Sequence, residues 1–217
     1  MILALELSSR RGSVAAYDGA RVVAQRAWDE PAARHQAVFT ATTEVMKEAG
    51  VTWPHLRAIA AGRGPGAFSG VRVALMAAQT FALPNHTPVL AVSSGEALAL
   101  DLVQEAGPHP VAIAGDARRG SIWFALFHRH GAGVKKTQDW TLVPAADFAR
   151  QLPDGLWVAS PDWARLAAAC GPLDPRLHWI EEDRYPRAAR VAECADHALA
   201  SGQPPEPVEP LYLHPPV

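Results

Sequence analysis

A glycine-rich loop is the part of this sequence whose residue types and spacing best suit chemistry. The segment AAGRGPGAFSGVRVALMAAQ (residues 60–79) has four glycines within nine residues and runs directly into a helical pattern. The first N–H groups of a helix have no partner within it and attract anions, so such a loop can hold phosphate groups. The candidate residues of the loop are Gly62, Arg63, Gly64, Pro65, Gly66, Ser69, Gly70 and Arg72.

The loop lacks the residues of two common phosphate-binding motifs. A Walker A loop requires a Lys and then a Ser or Thr after its last glycine, whereas Val71 and Arg72 follow here. The dinucleotide motif G-x-G-x-x-G is absent too, because the first three glycines are spaced two by two and no acidic residue follows at the usual distance. The sequence therefore favours a tight turn from strand to helix, with Ser69 near the helix cap. A phosphate cradle remains the alternative.

Two carboxylates and two histidines are the other candidates. Glu6 lies in an apolar strand, where a carboxylate needs a partner or a strand edge. Asp116 ends another apolar strand; it either acts as a base or metal ligand, or accepts hydrogen bonds from the following turn, which we favour. His128 and His130 share one side of a predicted strand without an evident third ligand. Because the sequence has no G-x-S-x-G or H-E-x-x-H motif, we expect no catalytic residue, metal or cofactor.

Apolar runs and turn residues predict the elements that would position these side chains. In the first half, ILALELS and two strands joined at Asp18-Gly19 precede a helix from Pro31 to Ala49, which Gly50 ends. The strand LRAIAAG, the glycine loop and a second helix follow. The second half begins with a similar pattern. We therefore predict an α/β protein with two related lobes, residues 1–105 and residues 106–217, the latter with a Pro-rich extended tail.

The first two predicted helices carry small side chains on one face. Small residues let another helix approach closely, so such a face suits either the core of the protein or a partner's helices. The periodicity alone leaves both interpretations open. If the face binds a partner, its residues are Val38, Ala41, Thr42, Val45, Val71, Ala74, Leu75 and Ala78.

Composition limits the classes of function. The chain has 217 residues and a net charge of −2, so it lacks the basic surplus of a protein that binds RNA unaided. Its two cysteines have no metal or redox spacing, and the N-terminus does not resemble a signal peptide. No stretch has the ~20 apolar residues of a membrane span. We expect a cytoplasmic protein without a membrane partner.

Four segments together resemble the TsaB (YeaZ) family. GRGPGAFSGVRVALMAAQTFAL is similar to the family signature, which reads close to GRGPGSFTGVRIG before a helix. ILALELSSRRGSVAAYDG resembles the opening strand and hairpin, AIAGDARRGSIWFALF the D-A-R-x-G-E-V-Y segment, and EPVEPLYLH the P-x-Y-L ending. His35 stands where the family often has a histidine. The resemblance covers essentially the whole chain.

This resemblance implies a two-lobed actin-like (ASKHA, ribonuclease H-like) α/β fold. It further implies a part in forming N6-threonylcarbamoyladenosine at position 37 of tRNAs that read codons starting with A. TsaB is the non-catalytic partner that dimerises with the catalytic TsaD, and the ATPase TsaE joins them. The family contact uses the helices that match residues 33–49 and 70–83 here, and tRNA is reached only through the complex. A homodimer through the same helices is a further expectation, because an apolar face without its partner tends to pair.

Some residues depart from the pattern of the fold and leave an alternative function open. Actin-like proteins usually carry an Asp at the end of the first strand, near the metal of the nucleotide, whereas this chain has Glu6. We therefore interpret Glu6 and Asp116 as a vestigial nucleotide site. The alternative to a scaffold is an actin-like small-molecule kinase or ATPase, or a glycopeptidase-like hydrolase. A kinase needs carboxylates that position magnesium and a phosphate cradle, and a hydrolase needs an activated nucleophile or a metal.

Overall fold

A computed structural model describes residues 1–30, 36–131, 133–202 and 204–213 of the chain. His35 and the start of the predicted first helix lie outside these residues. The strands are β1 (Ile2–Glu6), β2 (Arg11–Tyr17), β3 (Val22–Asp29), β4 (Ala58–Gly62), β5 (Val89–Val92), β6 (Val111–Arg118), β7 (Ser121–His130), β8 (Gly133–Pro144), β9 (Trp157–Ser160) and β10 (His178–Asp183). The helices are α1 (Ala37–Glu48), α2 (Phe68–Ala82), α3 (Ser94–Glu105), α4 (Ala145–Phe148), α5 (Trp163–Cys170) and α6 (Ala188–Ser201).

The strands form two sheets with the same topology. The first sheet has the order β3-β2-β1-β4-β5 and the second has the order β8-β7-β6-β9-β10. In each sheet the first three strands along the chain pair antiparallel, and the next two add in parallel. The repeated order and directions confirm the two related lobes of an actin-like α/β fold.

Helices cover both faces of the first sheet. Along β1, Leu3 and Leu5 point to the face that α1 and α2 cover, and the alternate residues Ile2 and Ala4 point to the face that α6 covers. All four side chains are fully buried. This alternation explains why β1 reads as an unbroken apolar run, since both of its faces lie in a core.

The second sheet is built in the same way. Ile113 and Phe127 pack in one core with Leu102 of α3, whereas Ile122 and Phe124 pack in another with residues of α4 and α5. Both cores are continuous across the central strands. Each unit therefore has the layered architecture of helix, sheet and helix.

The C-terminal helix returns to the first unit. One compact unit comprises Met1–Ala97 with Pro186–Leu211, and the other is built around Leu98–Tyr185. The sequence-based division at residue 105 assigned α6 to the second lobe. The helix instead packs on β1, β2 and β4, because its small apolar residues cover the alanine-rich face of that sheet.

Two strands were not predicted from the sequence. They are β8 and β10, which form the two edges of the second sheet. Most of their residues are exposed or half-buried, so neither segment shows the alternating apolar pattern of a strand with one buried face. Among the described residues, no helix is both long and apolar enough to cross a bilayer.

Candidate functional site

The glycines of the loop let it pack directly on the end of β1. A Cβ atom at Gly62 would overlap the carboxylate of Glu6, and one at Gly70 would overlap the carbonyl oxygen of Leu7. Gly66 lies equally close to the main chain that follows β1. The glycine pattern therefore follows from the close approach of the loop and the start of α2 to the first strand.

Hydrogen bonds within the chain occupy much of the loop. Gly64 donates its N–H to the Ser94 hydroxyl at 3.1 Å and accepts a bond from the Ser94 N–H at 2.9 Å. The N–H of Ala67 donates to the Ser8 carbonyl at 2.7 Å. Pro65, which follows a cis peptide bond, has no N–H to offer. Because these groups bind other parts of the chain, the loop does not present them together as a phosphate cradle.

The C-terminal tail binds the side chain of Arg63 in the loop. Arg63 is only 7% exposed, and its Nη1 lies 2.6 Å from the carboxylate of Glu206. Its Nε donates to the carbonyl of Glu209 at 3.1 Å, and its own carbonyl accepts the N–H of Leu211 at 2.8 Å. The main chain of Glu206 also forms an isolated antiparallel β-bridge with Ala91 of β5. Arg63 therefore fastens the tail to the first unit instead of facing a ligand.

Glu6 is fully buried below the loop. Its Oε1 accepts the N–H of Ser8 at 2.6 Å, whereas its Oε2 has no hydrogen-bond partner among the described residues. Burial raises the pKa of this carboxyl above the ordinary value of 4.5, and the hydrogen bonds from Ser8 oppose the shift only in part. Compared with an exposed carboxyl, burial thus favours the neutral form of Glu6 over the ionised form, which binds magnesium more strongly.

The remaining candidate residues have structural contacts of their own. Asp116 accepts the N–H of Arg118 at 2.8 Å at the end of β6. Ser69 lies in the first turn of α2, and the capping position is Ala67. The guanidinium of Arg72 lies 3.7 Å from the ring centroid of Phe68. Among the described residues, no three His, Cys, Asp or Glu side chains cluster as a metal site would require.

The proposed interface residues face the core. Both helices pack on the first sheet through their small side chains, because only small residues let the helices lie close to it. The hydroxyl of Thr42 is buried with no hydrogen-bond partner in the described part of the chain. The predicted interface residues therefore do not form the exposed surface of the helices. Each is at most 6% exposed: Val38, Ala41, Thr42, Val45, Val71, Ala74, Leu75 and Ala78.

The opposite sides of α1 and α2 carry large apolar side chains that face solvent. Phe39 is 54% exposed, Met76 62% and Leu83 71%. Phe68 is also largely exposed at the start of α2. We call these four residues the outer face. Phe68 and Met76 lie on the exposed side of α2, and Leu83 directly follows its last residue. This signal was missed in the sequence because the small residues define the more regular pattern.

An aromatic cluster joins the two helices at the outer face. The rings of Phe39 and Phe81 meet edge to face with centroids 6.0 Å apart, and the Trp53 ring lies 5.1 Å from that of Phe81. These aromatic contacts connect α1 with α2 beside the exposed apolar side chains.

Comparison with known proteins identifies the family. The chain is 30% identical to the tRNA threonylcarbamoyladenosine biosynthesis protein TsaB of Escherichia coli over 223 aligned positions, which cover 98% of this chain and 94% of that protein. This chain belongs to the TsaB (YeaZ) family. The resemblance of the four sequence segments is thereby confirmed.

Two further comparisons agree with membership in the TsaB family. The structure of YeaZ from Pseudomonas aeruginosa superimposes with a TM-score of 0.82 at 28% identity, over 98% of this chain and 99% of that one. The TsaB of Haemophilus influenzae is 31% identical over 57% of this chain and 52% of its own length. Residues 30–156 also match the family model of TsaD, tRNA N6-adenosine threonylcarbamoyltransferase, so the TsaB chain shares a related domain with that enzyme.

Proposed function

We propose that this TsaB-family chain is the non-catalytic scaffold subunit of the cytoplasmic complex that forms N6-threonylcarbamoyladenosine at position 37 of tRNAs reading codons that start with A. Its partner is a TsaD-like catalytic subunit, and a TsaE-like ATPase joins the pair. The observation that carries the proposal is the near full-length match to E. coli TsaB. A scaffold role is supported by the glycine loop, whose polar groups bind the chain itself.

The docking surface that we assign to the partner is the outer face. Burying exposed apolar side chains is the main favourable contribution to association, and each side chain of the outer face is more than half exposed. The TsaD-like chain is the expected occupant, because membership in the TsaB family implies a contact with it through these two helices. In the isolated protein the same face is available for a homodimer.

An activity of the isolated chain finds little support in the site. The kinase alternative requires an ionised carboxylate at the end of β1, and burial favours the neutral form of Glu6. The hydrolase alternative requires an activated nucleophile, and burial raises the pKa of the Cys170 thiol to about 11. We therefore expect no turnover of nucleotide or peptide by the isolated protein.

Co-expression with the TsaD-like protein of the same genome tests the docking surface. Met76→Glu and Leu83→Glu place a charge on the outer face, and we expect each to weaken the heterodimer by at least tenfold, since a charge in an apolar interface loses its hydration. Size-exclusion chromatography with light scattering measures the complex. Ala74 and Ala78 are unsuitable for this test, because they are fully buried and a charge there would disturb folding.

Leu199→Glu is the matched control. Leu199 is 41% exposed on α6, on the opposite side of the same sheet, so its replacement makes the same kind of surface change away from the outer face. We expect its heterodimer to be unaffected. A heterodimer that tolerates both Met76→Glu and Leu83→Glu would move the interface elsewhere. No complex between the wild-type chains would reject the scaffold proposal.

A further inference from the structure

A basic hairpin end stands out in the second unit. The segment from Ser121 to Gln138 contains Arg129, Lys135 and Lys136 and two histidines, but no Asp or Glu, although the chain as a whole has a net charge of −2. The strands β7 and β8 meet here, and all five of these side chains are exposed. The net charge of this segment is therefore opposite in sign to that of the whole protein.

The two strands bring basic side chains to both sides of the hairpin end. Lys135 lies opposite His128 in the antiparallel ladder, whereas Arg129 lies opposite Val134 and therefore points to the other side of the ribbon. Among the described residues, Lys136 has an acidic partner, Asp139 at 2.6 Å, whereas no ion pair joins Arg129 or Lys135.

A surface recess adjoins these cations. It has a volume of about 490 Å³ and is lined by Gly107, Pro108, His128, Arg129 and Gly131. The preceding helix α3 ends at Glu105, whose carboxylate is paired with Arg184 at 3.0 Å. The recess therefore places the guanidinium of Arg129 and the imidazole of His128 beside a space that a ligand could fill.

We propose that this hairpin end, with Arg129 and Lys135 as its principal contacts, binds the phosphate backbone of the tRNA that the complex modifies. The inference rests on the proposed function, which makes tRNA the substrate of the assembly. Arg and Lys contacts to phosphate position a nucleic acid without reading its sequence. Two or three such contacts are too few for strong binding by the isolated chain but add to those of a partner subunit.

The salt dependence of tRNA binding by the heterodimer tests the inference. Removing one cation that binds a phosphate lowers the slope of log affinity against log salt by about 1. We expect Arg129→Gln/Lys135→Gln to lower the slope by about 2 and the affinity by roughly tenfold or more at physiological salt. Filter binding of an unmodified tRNA transcript at several salt concentrations measures both quantities.

Two matched variants separate position from net charge. Arg150→Gln/Arg165→Gln removes the same charge from two exposed arginines of the same unit, each paired with a local acid, and should leave slope and affinity unchanged. Arg129→Lys/Lys135→Arg keeps the charge and should retain the wild-type slope. This second variant also shows that the hairpin tolerates replacement at both positions.

Three results would overturn the inference, and they differ from failure of the scaffold proposal. In the first, the heterodimer forms and Arg129→Gln/Lys135→Gln binds tRNA like the wild type. In the second, the two neutralising pairs weaken binding equally, which would show a general charge effect. In the third, the hairpin variant loses only binding to phosphatidylglycerol vesicles, which would assign the cations to a membrane surface. Failure of the wild-type chains to form a heterodimer would instead reject the proposed function, and this inference with it.

Discussion

Glu6 shows how one side chain changes the chemistry that a glycine-rich loop can support. The carboxyl fills the space below Gly62, where even a methyl group would overlap it. One of its oxygens is buried without a hydrogen-bond partner among the described residues, which an ionised carboxylate would tolerate poorly. The residue is thus a buried acid, its pKa raised by burial, that packs against the loop. The vestigial nucleotide site at Glu6 and Asp116 stays a prediction.

The protonation of Glu6 predicts how stability depends on pH. Since burial raises the pKa in the folded chain above 4.5, the folded state holds more protons than the unfolded state between the two values. Stability therefore falls as pH rises through this window. Gln does not titrate, so the free energy of unfolding of Glu6→Gln relative to the wild type should increase as pH rises above the ordinary carboxyl pKa of 4.5.

Urea unfolding at several pH values measures this difference. Glu181→Gln is the control, because it makes the same replacement at an exposed position on the edge strand β10. A wild type and a Glu6→Gln variant with parallel pH profiles would contradict the prediction. That result would mean that Glu6 titrates alike in the folded and unfolded chains.

The start of α2 depends on a glycine that helix propensity alone would replace. Alanine is favoured over glycine inside a helix by about 1 kcal/mol. At Gly70, however, a Cβ atom would overlap the main-chain carbonyl of Leu7, which cannot turn away as a side chain can. Overpacking costs up to about 3 kcal/mol. We expect Gly70→Ala to lower the free energy of unfolding by about 2 kcal/mol, measured by urea denaturation.

Gly133→Ala is the matched control for this change. The nearest atom to its Cβ would be the carbonyl of His130 at 3.8 Å, an ordinary contact, so the effect should stay within about 0.5 kcal/mol. A Gly70→Ala variant as stable as the wild type would show that β1 can shift. It would also remove the close-packing explanation of the glycine pattern.

At the scale of the elements, the sequence predicts strands and helices better than it predicts their exposed sides. The Asp18-Gly19 turn and the helix end at Gly50 are confirmed, because left-handed glycines mark turns locally. The side of α2 that faces the sheet is a tertiary property, and the small residues that suggested a partner instead allow close packing in the core. The edge strands were missed because exposure removes their apolar period. The outer face could be found only after the core face was known.

At the scale of the whole molecule, the order of the chain differs from the order of its units. The second unit begins at Leu98, within α3, and its main segment ends at Tyr185. The first unit is therefore formed by two separate segments, Met1–Ala97 and Pro186–Leu211. The N–H of Ala188 donates to the Ser13 hydroxyl at 2.9 Å in a buried contact, which ties α6 to β2. A boundary drawn from local composition cannot detect this return, since the contacts join residues far apart in sequence.

Truncation tests the dependence of the first unit on its C-terminal part. Residues 1–97 alone leave one face of the first sheet, including Ile2, Ala4 and Ala60, without α6. Exposed apolar surface of this kind leads to association and loss of cooperative unfolding. We expect residues 1–97 joined to residues 186–211 by a flexible Gly/Ser linker to unfold cooperatively, and residues 1–97 alone to bind a hydrophobic dye and aggregate. Cooperative unfolding of residues 1–97 alone would contradict this dependence, because the sheet would then be stable with α1 and α2 as its only cover.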